Sequence, residues 1–230
     1  MEIKEIDTTL LTRRPLAVTI IRVDSPSLIW LHIKNSQLDY QEMREDQVMM
    51  QRRAKYLGCY PDQIERNQVI AIRDETRWHR GCITSIEGDL ARIVLKDWGR
   101  NILCPLHECH RLPVRLQELS WQAVPCNLFR VSSTRSSNIW SFETRQMVKA
   151  LAEYKNGKIK IRKGSSESAL VDLIIDNHPD EGYYDVKNIL IKMGYVQPAS
   201  NNFKSDMYPG LTRSYRNQSY LNSDIKKLRK

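Results

Sequence analysis

With 230 residues, 41% of them hydrophobic and 27% charged, the chain has room for one large or two small domains and enough apolar side chains for a real core. Its longest apolar runs are strand-length, and Met1 to Thr9 alternates charge with Ile, so neither a membrane span nor a signal peptide is expected, and no membrane partner. The net charge is +9, but residues 204–230 hold seven basic residues against Asp206 and Asp224, which leaves the body mildly basic and makes charge alone weak evidence for nucleic acid. The five cysteines (Cys59, Cys82, Cys104, Cys109 and Cys126) are odd in number. Without a secretion signal they are expected to be reduced thiols of a cytosolic or nuclear protein.

Residues 16–23 and 28–33 are rich in β-branched and aromatic side chains and flank Asp24-Ser25-Pro26-Ser27, which predicts two strands and a turn. Over 36–57 the period changes. Tyr40, Met43, Met50, Ala54 and Leu57 recur at helical spacing with Gln47 interrupting the stripe, Ser36 and Asp39 resemble a capping box, and Gly58 fits a stop. The other face of this long helix (Glu42, Arg44, Glu45, Arg52, Arg53) reads as solvent-facing. Short strands follow at 69–72, 78–86, 90–96 and 101–104, broken by Glu87-Gly88-Asp89 and Asp97-Trp98-Gly99-Arg100. Such spacing predicts a small, strongly bent barrel. Residues 105–113 read as a loop or one helical turn, 123–131 as a strand and 132–138 as a polar linker. A helix is predicted over 141–156, capped by Ser141, stopped by Gly157 and presenting Met147, Leu151 and Tyr154 on one face. A hairpin over 158–162 and 169–175, a short helix capped by Asp185 and stopped by Gly194, and a mobile basic tail over 200–230 complete the pattern. The order implies a small barrel inserted into a second β-rich unit built from both ends of the chain.

That layout, with the runs Ile70-Ala71-Ile72-Arg73-Asp74-Glu75-Thr76-Arg77-Trp78-His79-Arg80-Gly81 and Ile93-Val94-Leu95-Lys96-Asp97-Trp98-Gly99-Arg100, resembles the extended Tudor domain. Residues 106–127 and the segment Tyr184 to Val196 are similar to later parts of the same family. The resemblance covers roughly residues 10–199. It implies a mainly β fold with some α: a Tudor barrel (64–115) inserted in a staphylococcal-nuclease-like OB fold (10–35 and 116–199), joined by a linker helix (36–58), with 200–230 a flexible tail. It further implies a non-catalytic, cofactor-free peptide reader whose partners are disordered Arg-rich N-terminal tails of Piwi-clade Argonautes, in germline piRNA silencing, located in cytoplasmic perinuclear RNA granules (nuage).

Family members that read dimethylarginine surround the guanidinium with about four aromatic rings and orient it with an Asn. Here the matching ring positions carry Arg73, His79, Leu95 and Trp98, and the Asn position carries Arg100, with Asn101 one step on. Only Trp98 is a strong cation host, and two arginines would repel a cation. Symmetric dimethylarginine is therefore expected to bind weakly or not at all. Arg73 and Arg100 could meet acidic groups or carbonyls of an unmodified peptide, and Asp74, Glu75 and Asp97 its arginines. These nine residues form the expected degenerate cage and rim, although Asp97-Trp98-Gly99 also fits a plain turn and the two arginines also fit a solvated surface.

Cys104, His107, Cys109 and His110 have zinc-ligand chemistry, but they crowd one short segment where structural sites pair separated knuckles, and no metal is expected. The carboxylates Asp172, Asp176, Asp180 and Glu181 lack a placeable arginine pair for nuclease work. Single-stranded RNA is the alternative ligand, since OB-like folds bind strands through basic grooves and exposed aromatics. Trp30, Trp121 and Trp140 stand in apolar contexts that suggest core instead.

Overall fold

The structure is a computed structural model that describes residues 3–11, 14–34, 37–135, 139–176 and 182–199. The proposed cap at Ser36, Asp180 and Glu181, and the tail lie outside the described residues, as does the side chain of Asp39. Strands β1 (Leu16–Ser25) and β2 (Leu28–Ile33) form an antiparallel hairpin across the predicted turn. Helix α1 (Gln37–Arg53) follows and runs into a 3-10 turn.

The small barrel comes next: β3 (Val69–Asp74), β4 (Arg77–Glu87), β5 (Leu90–Leu95), β6 (Arg100–Pro105) and the short β7 (His110–Arg111), in spatial order β6-β5-β4-β3-β7. Its interior is Ile70, Ile72, Ile83, Ile93, Leu95, Cys104 and Cys109. Alternation along β4 sends Ile83 inward and Trp78 outward. The outward face is not solvated. Trp78 and Ala71 pack on Met43 and Met50 of α1, so the helix covers the barrel wall.

After a single turn α2 (Arg115–Glu118), the chain returns to the first hairpin through β8 (Ala123–Leu128), which pairs with β2. Strand β9 (Val131–Ser133) leads to α3 (Phe142–Ala152), then β10 (Asn156–Gly164), β11 (Ala169–Asp176), β12 (Tyr183–Asp185), α4 (Val186–Lys192) and β13 (Val196–Pro198). Strand β10 pairs with both β1 and β11, and β11 runs parallel to β8, so β1, β2, β8, β11 and β10 close a second barrel. Five strands closed in this way are the architecture of an OB fold. Its core draws on both ends of the chain, from Val18 and Ile20 to Val171, Leu173 and Leu190. Ser141 caps α3 by accepting from the Thr144 amide, and Asp185 caps α4 by accepting from that of Asn188.

Two sequence expectations fail at the end of α3. The helix stops at Ala152, and Gly157 is not its stop: it lies inside β10, opposite Val18 and Ile175, where a Cβ would collide with the Ile174 carbonyl. The reversal is made by Tyr154 in the left-handed region at φ 60°, which throws its ring into solvent at 80% exposure, away from Met147 and Leu151. The helical period runs on past the real end because Glu153 to Asn156 carry no glycine or proline to interrupt it.

Candidate functional site

The turn between β5 and β6 is the meeting point of the two barrels. It closes with the Trp98 amide donating to the Leu95 carbonyl at 2.9 Å. Gly99 adopts φ 62° and presses against the Trp30 ring of β2, so a Cβ fits neither the backbone nor the space. Asp97 points inward. Its carboxylate accepts Arg80 Nη2 on Oδ1 at 2.6 Å and Arg80 Nε on Oδ2 at 2.8 Å, with side-chain exposures of 2% and 0%. Oδ1 also accepts the Gln122 amide at 2.9 Å. The remaining Arg80 N–H groups donate to the carbonyls of Leu116, Leu119 and Ser120, and Trp121 lies 4.9 Å from Cζ. One buried guanidinium thus ties β4 to the turn and to the segment that leads into the second barrel.

With the turn so fixed, Trp98 meets two rings from outside its own barrel, His32 and Tyr40, and one from within it, His79. The His32 centroid of β2 is 5.4 Å away, that of Tyr40 of α1 6.4 Å and that of His79 of β4 6.0 Å, all edge-on; His32 and Tyr40 touch at 5.0 Å. His32 Nε2 is 2.7 Å from the Asp97 carbonyl oxygen. Arg44 of α1 reaches into this cluster, its Cζ 5.8 Å from the Trp98 centroid and its Nη1 donating to Gln47 Oε1 at 2.7 Å. Burial, then the nearby Arg44 charge, push His79 down to about 4, and burial lowers His32 as well. Both imidazoles are therefore neutral rings at physiological pH. Among the described residues, the buried Tyr40 hydroxyl and His79 Nδ1 find no hydrogen-bond partner.

Beside the cluster a cleft of about 610 Å³ opens between β1 and α3 on one side and Trp98 and Arg100 on the other. Its walls carry both signs: Arg22 with Asp24 at 2.7 Å, Lys149 with Glu153 at 3.2 Å, and Arg145. Phe142, 70% exposed, and Tyr154 are apolar surface on the same walls.

Of the nine sequence-derived residues, Trp98 and Arg100 line the cleft, with Asp74 paired to Arg100. His79 abuts Trp98 from a buried position. Arg73, Glu75 and Asn101 are exposed and do not line the cleft. Leu95 and Asp97 are not rim residues: Leu95 is 0% exposed in the barrel core, and the Asp97 carboxylate is used up by Arg80 and Gln122. Arg44, read as solvent-facing, instead turns toward Trp98. Gln47 held the available signal, because an amide in an apolar stripe needs a polar partner, and at 3% exposure it has one in Arg44. The β1 and α3 walls were missed altogether; the aromatic Phe142, off the apolar stripe of its helix, was their one trace.

The other clusters are accounted for locally. Cys104 and Cys109 belong to the barrel core, His107 is exposed and His110 stands edge-on to Trp78 at 5.0 Å. Asp172 is held between Arg162 at 2.5 Å and Lys187 at 2.8 Å. Trp30 and Trp121 are buried, and Trp140 donates to Ser27 Oγ at 2.8 Å.

The model of one family, the Tudor domain, matches residues 12–130, more than half of the chain. The chain belongs to the Tudor domain family. A curated Tudor relative, Tudor domain-containing 6-like from Xenopus laevis, is 24% identical over 128 residues, which is 53% of this chain but only 6% of that protein. Extended Tudor domain TD3 of mouse TDRD1, solved with a MILI peptide containing dimethylarginine, superposes with a TM-score of 0.75 at 14% identity, covering 87% of this chain and 100% of that one. A variant of the Drosophila melanogaster Papi extended Tudor domain with one aspartate replaced by alanine, solved with an unmethylated Piwi N-terminal peptide, gives 0.68 at 17% identity over 80% and 99%. These likenesses establish the extended Tudor fold: a Tudor barrel, an OB-like barrel and the helix beside them. Tudor domains are binding modules, not enzymes.

Proposed function

We propose that this chain is a non-catalytic adaptor that reads an Arg-rich, disordered N-terminal tail of a Piwi-clade Argonaute, independently of arginine methylation, in piRNA silencing within perinuclear RNA granules. The observation that carries the reading is the pairing of an open cleft with a filled ring cluster. The 610 Å³ cleft has the size and mixed charge to take an extended peptide between the two barrels. The rings around Trp98, which a methylated guanidinium would need, are packed on one another and on Arg44. Solved structures of the same fold hold peptides with and without the methyl groups.

The test is calorimetry with one Arg-Gly peptide, unmodified and symmetrically dimethylated. The two affinities are expected to agree within about threefold. A methylated peptide bound more than tenfold tighter would refute methylation independence. Asp24→Ala, which removes a carboxylate from the cleft wall, is expected to weaken both. The cations Arg22, Arg100, Arg145 and Lys149 favour single-stranded RNA as the second reading. An affinity for oligoribonucleotide that exceeds peptide affinity and falls steeply with salt would select it.

A further inference from the structure

We propose that Arg44 of the linker helix is a built-in occupant of the aromatic cluster, and that this internal guanidinium makes the module indifferent to arginine methylation. The inference rests on the peptide reading above and adds the residue that sets its specificity.

The geometry is that of a ligand supplied by the chain itself. Arg44 Cζ lies 5.8 Å from the centroid of Trp98, within the range at which a guanidinium is attracted by the ring quadrupole. The group is anchored: Nη1 donates to Gln47 Oε1 at 2.7 Å and reaches the Trp78 carbonyl at 3.4 Å. Gln47 is 3% exposed, one turn along the same helix, and cannot swing away without leaving an unpaired amide in the helix–barrel seam. Arg44 also acts electrostatically on both of its ring neighbours, Tyr40 and His79.

The consequence follows from what methylation adds. Methyl groups on a guanidinium increase the apolar area it can lay against rings and leave its charge unchanged. That gain is available only where a ring face is free. Here a resident cation lies at Trp98, and a second guanidinium brought to the same ring meets a like charge in a poorly solvated place. A peptide arginine is thereby directed to the outer cleft. The rings on offer there, Phe142 and Tyr154, stand open to solvent at 70% and 80% exposure and give added methyl groups a smaller gain than a desolvated ring face would.

The experiment uses the full chain, wild type and with Arg44→Ala or Arg44→Gln; the Gln variant is neutral and keeps a donor for Gln47. Calorimetry compares an Arg-Gly peptide with its symmetrically dimethylated twin. The methylated-to-unmodified affinity ratio is expected to be near one in wild type and to rise at least fivefold in both variants. In parallel, NMR titration of His79 reads whether the cation has gone, because its removal raises the His79 midpoint while Asp74, Asp97 and Arg100 remain in place. A raised His79 midpoint with an unchanged ratio would overturn the proposal and leave the peptide reading standing. No binding of either peptide to any of the proteins would overturn the peptide reading, and the proposal with it. An unmoved His79 midpoint in folded variants would show that Arg44 does not occupy the cluster, which also overturns it.

Discussion

Asp97→Ala removes the carboxylate on which the junction of the two barrels depends. The substitution leaves Arg80 at 0% exposure with its charge uncompensated. Breaking a buried pair by truncating one partner costs about 3–5 kcal/mol. Arg80 keeps three carbonyl acceptors, at Leu116, Leu119 and Ser120, which places the loss near the lower end, about 3 kcal/mol. The Gln122 amide, also buried, loses its acceptor and adds roughly 1 kcal/mol. The sum is about 4 kcal/mol. With a urea slope of roughly 2 kcal/mol per molar, the unfolding midpoint should fall by about 2 M.

The assay is urea unfolding followed by tryptophan fluorescence, since Trp98 and Trp121 flank the pair. A companion variant separates charge from packing. Arg80→Met added to Asp97→Ala removes the orphaned cation, and the double variant should recover at least about 1 kcal/mol of the loss. A midpoint shift under about 0.5 M for Asp97→Ala, or a double variant less stable than the single one, would refute the view that an ion pair holds this junction together.

Gly99→Ala should destabilise by roughly 2–4 kcal/mol and weaken peptide binding with it, because the new Cβ meets a positive φ and the Trp30 ring together; a variant with wild-type melting and affinity would contradict the packing of the turn. Tyr40→Phe should be neutral or stabilising by up to about 1 kcal/mol, since the buried hydroxyl it deletes has no partner among the described residues; a loss above about 1 kcal/mol in thermal unfolding would reveal a partner. Acid should destabilise the fold through His79. Its folded pKa is near 4 against an ordinary 6.5, so between these values the unfolded chain binds the extra proton. Stability therefore rises with pH across that window and drops as pH falls through it, by roughly 3 kcal/mol in full. His79→Gln should flatten this part of the pH profile, and an unchanged profile would dispute the burial of His79.

The fold was largely legible because its elements follow one-dimensional rules. Runs rich in β-branched and aromatic side chains around a turn located β1 and β2, short strands with tight turn signals located the small barrel, and the cap residues Ser141 and Asp185 marked the starts of α3 and α4. The end of α3 was hidden because Tyr154 takes a conformation that its residue type rarely adopts. The site was legible only in part. Matching positions along one barrel finds Trp98, Arg100 and Asp74. It cannot find His32, Tyr40 or Arg44, which reach Trp98 from a strand and a helix that precede the barrel in the chain. Asp97 was misplaced for a related reason: its carboxylate is spoken for by Arg80, whose burial no pattern in β4 reveals.

The same contacts explain why Trp98 stands in a packed ring cluster. A cage of free rings needs the turn to stand clear of its surroundings, with solvent or ligand on the ring faces. Here the turn is held against the second barrel by the Gln122 amide on the Asp97 carboxylate, by His32 at the Asp97 carbonyl and by Gly99 lying on Trp30, with Arg80 fixing Asp97 from its own barrel. That docking places Trp98 where His32 and Tyr40 close around it, and burial then holds His32 and His79 neutral, so they pack as rings instead of repelling Arg44. The cluster is thus held by internal contacts, with its cation built in. The cleft beside it, bounded by Trp98 and the charged walls of β1 and α3, is the surface to which the proposed recognition is assigned. Loosening the junction and removing Arg44 should consequently have opposite effects: the first loses the cleft, and the second restores a ring face to an incoming arginine.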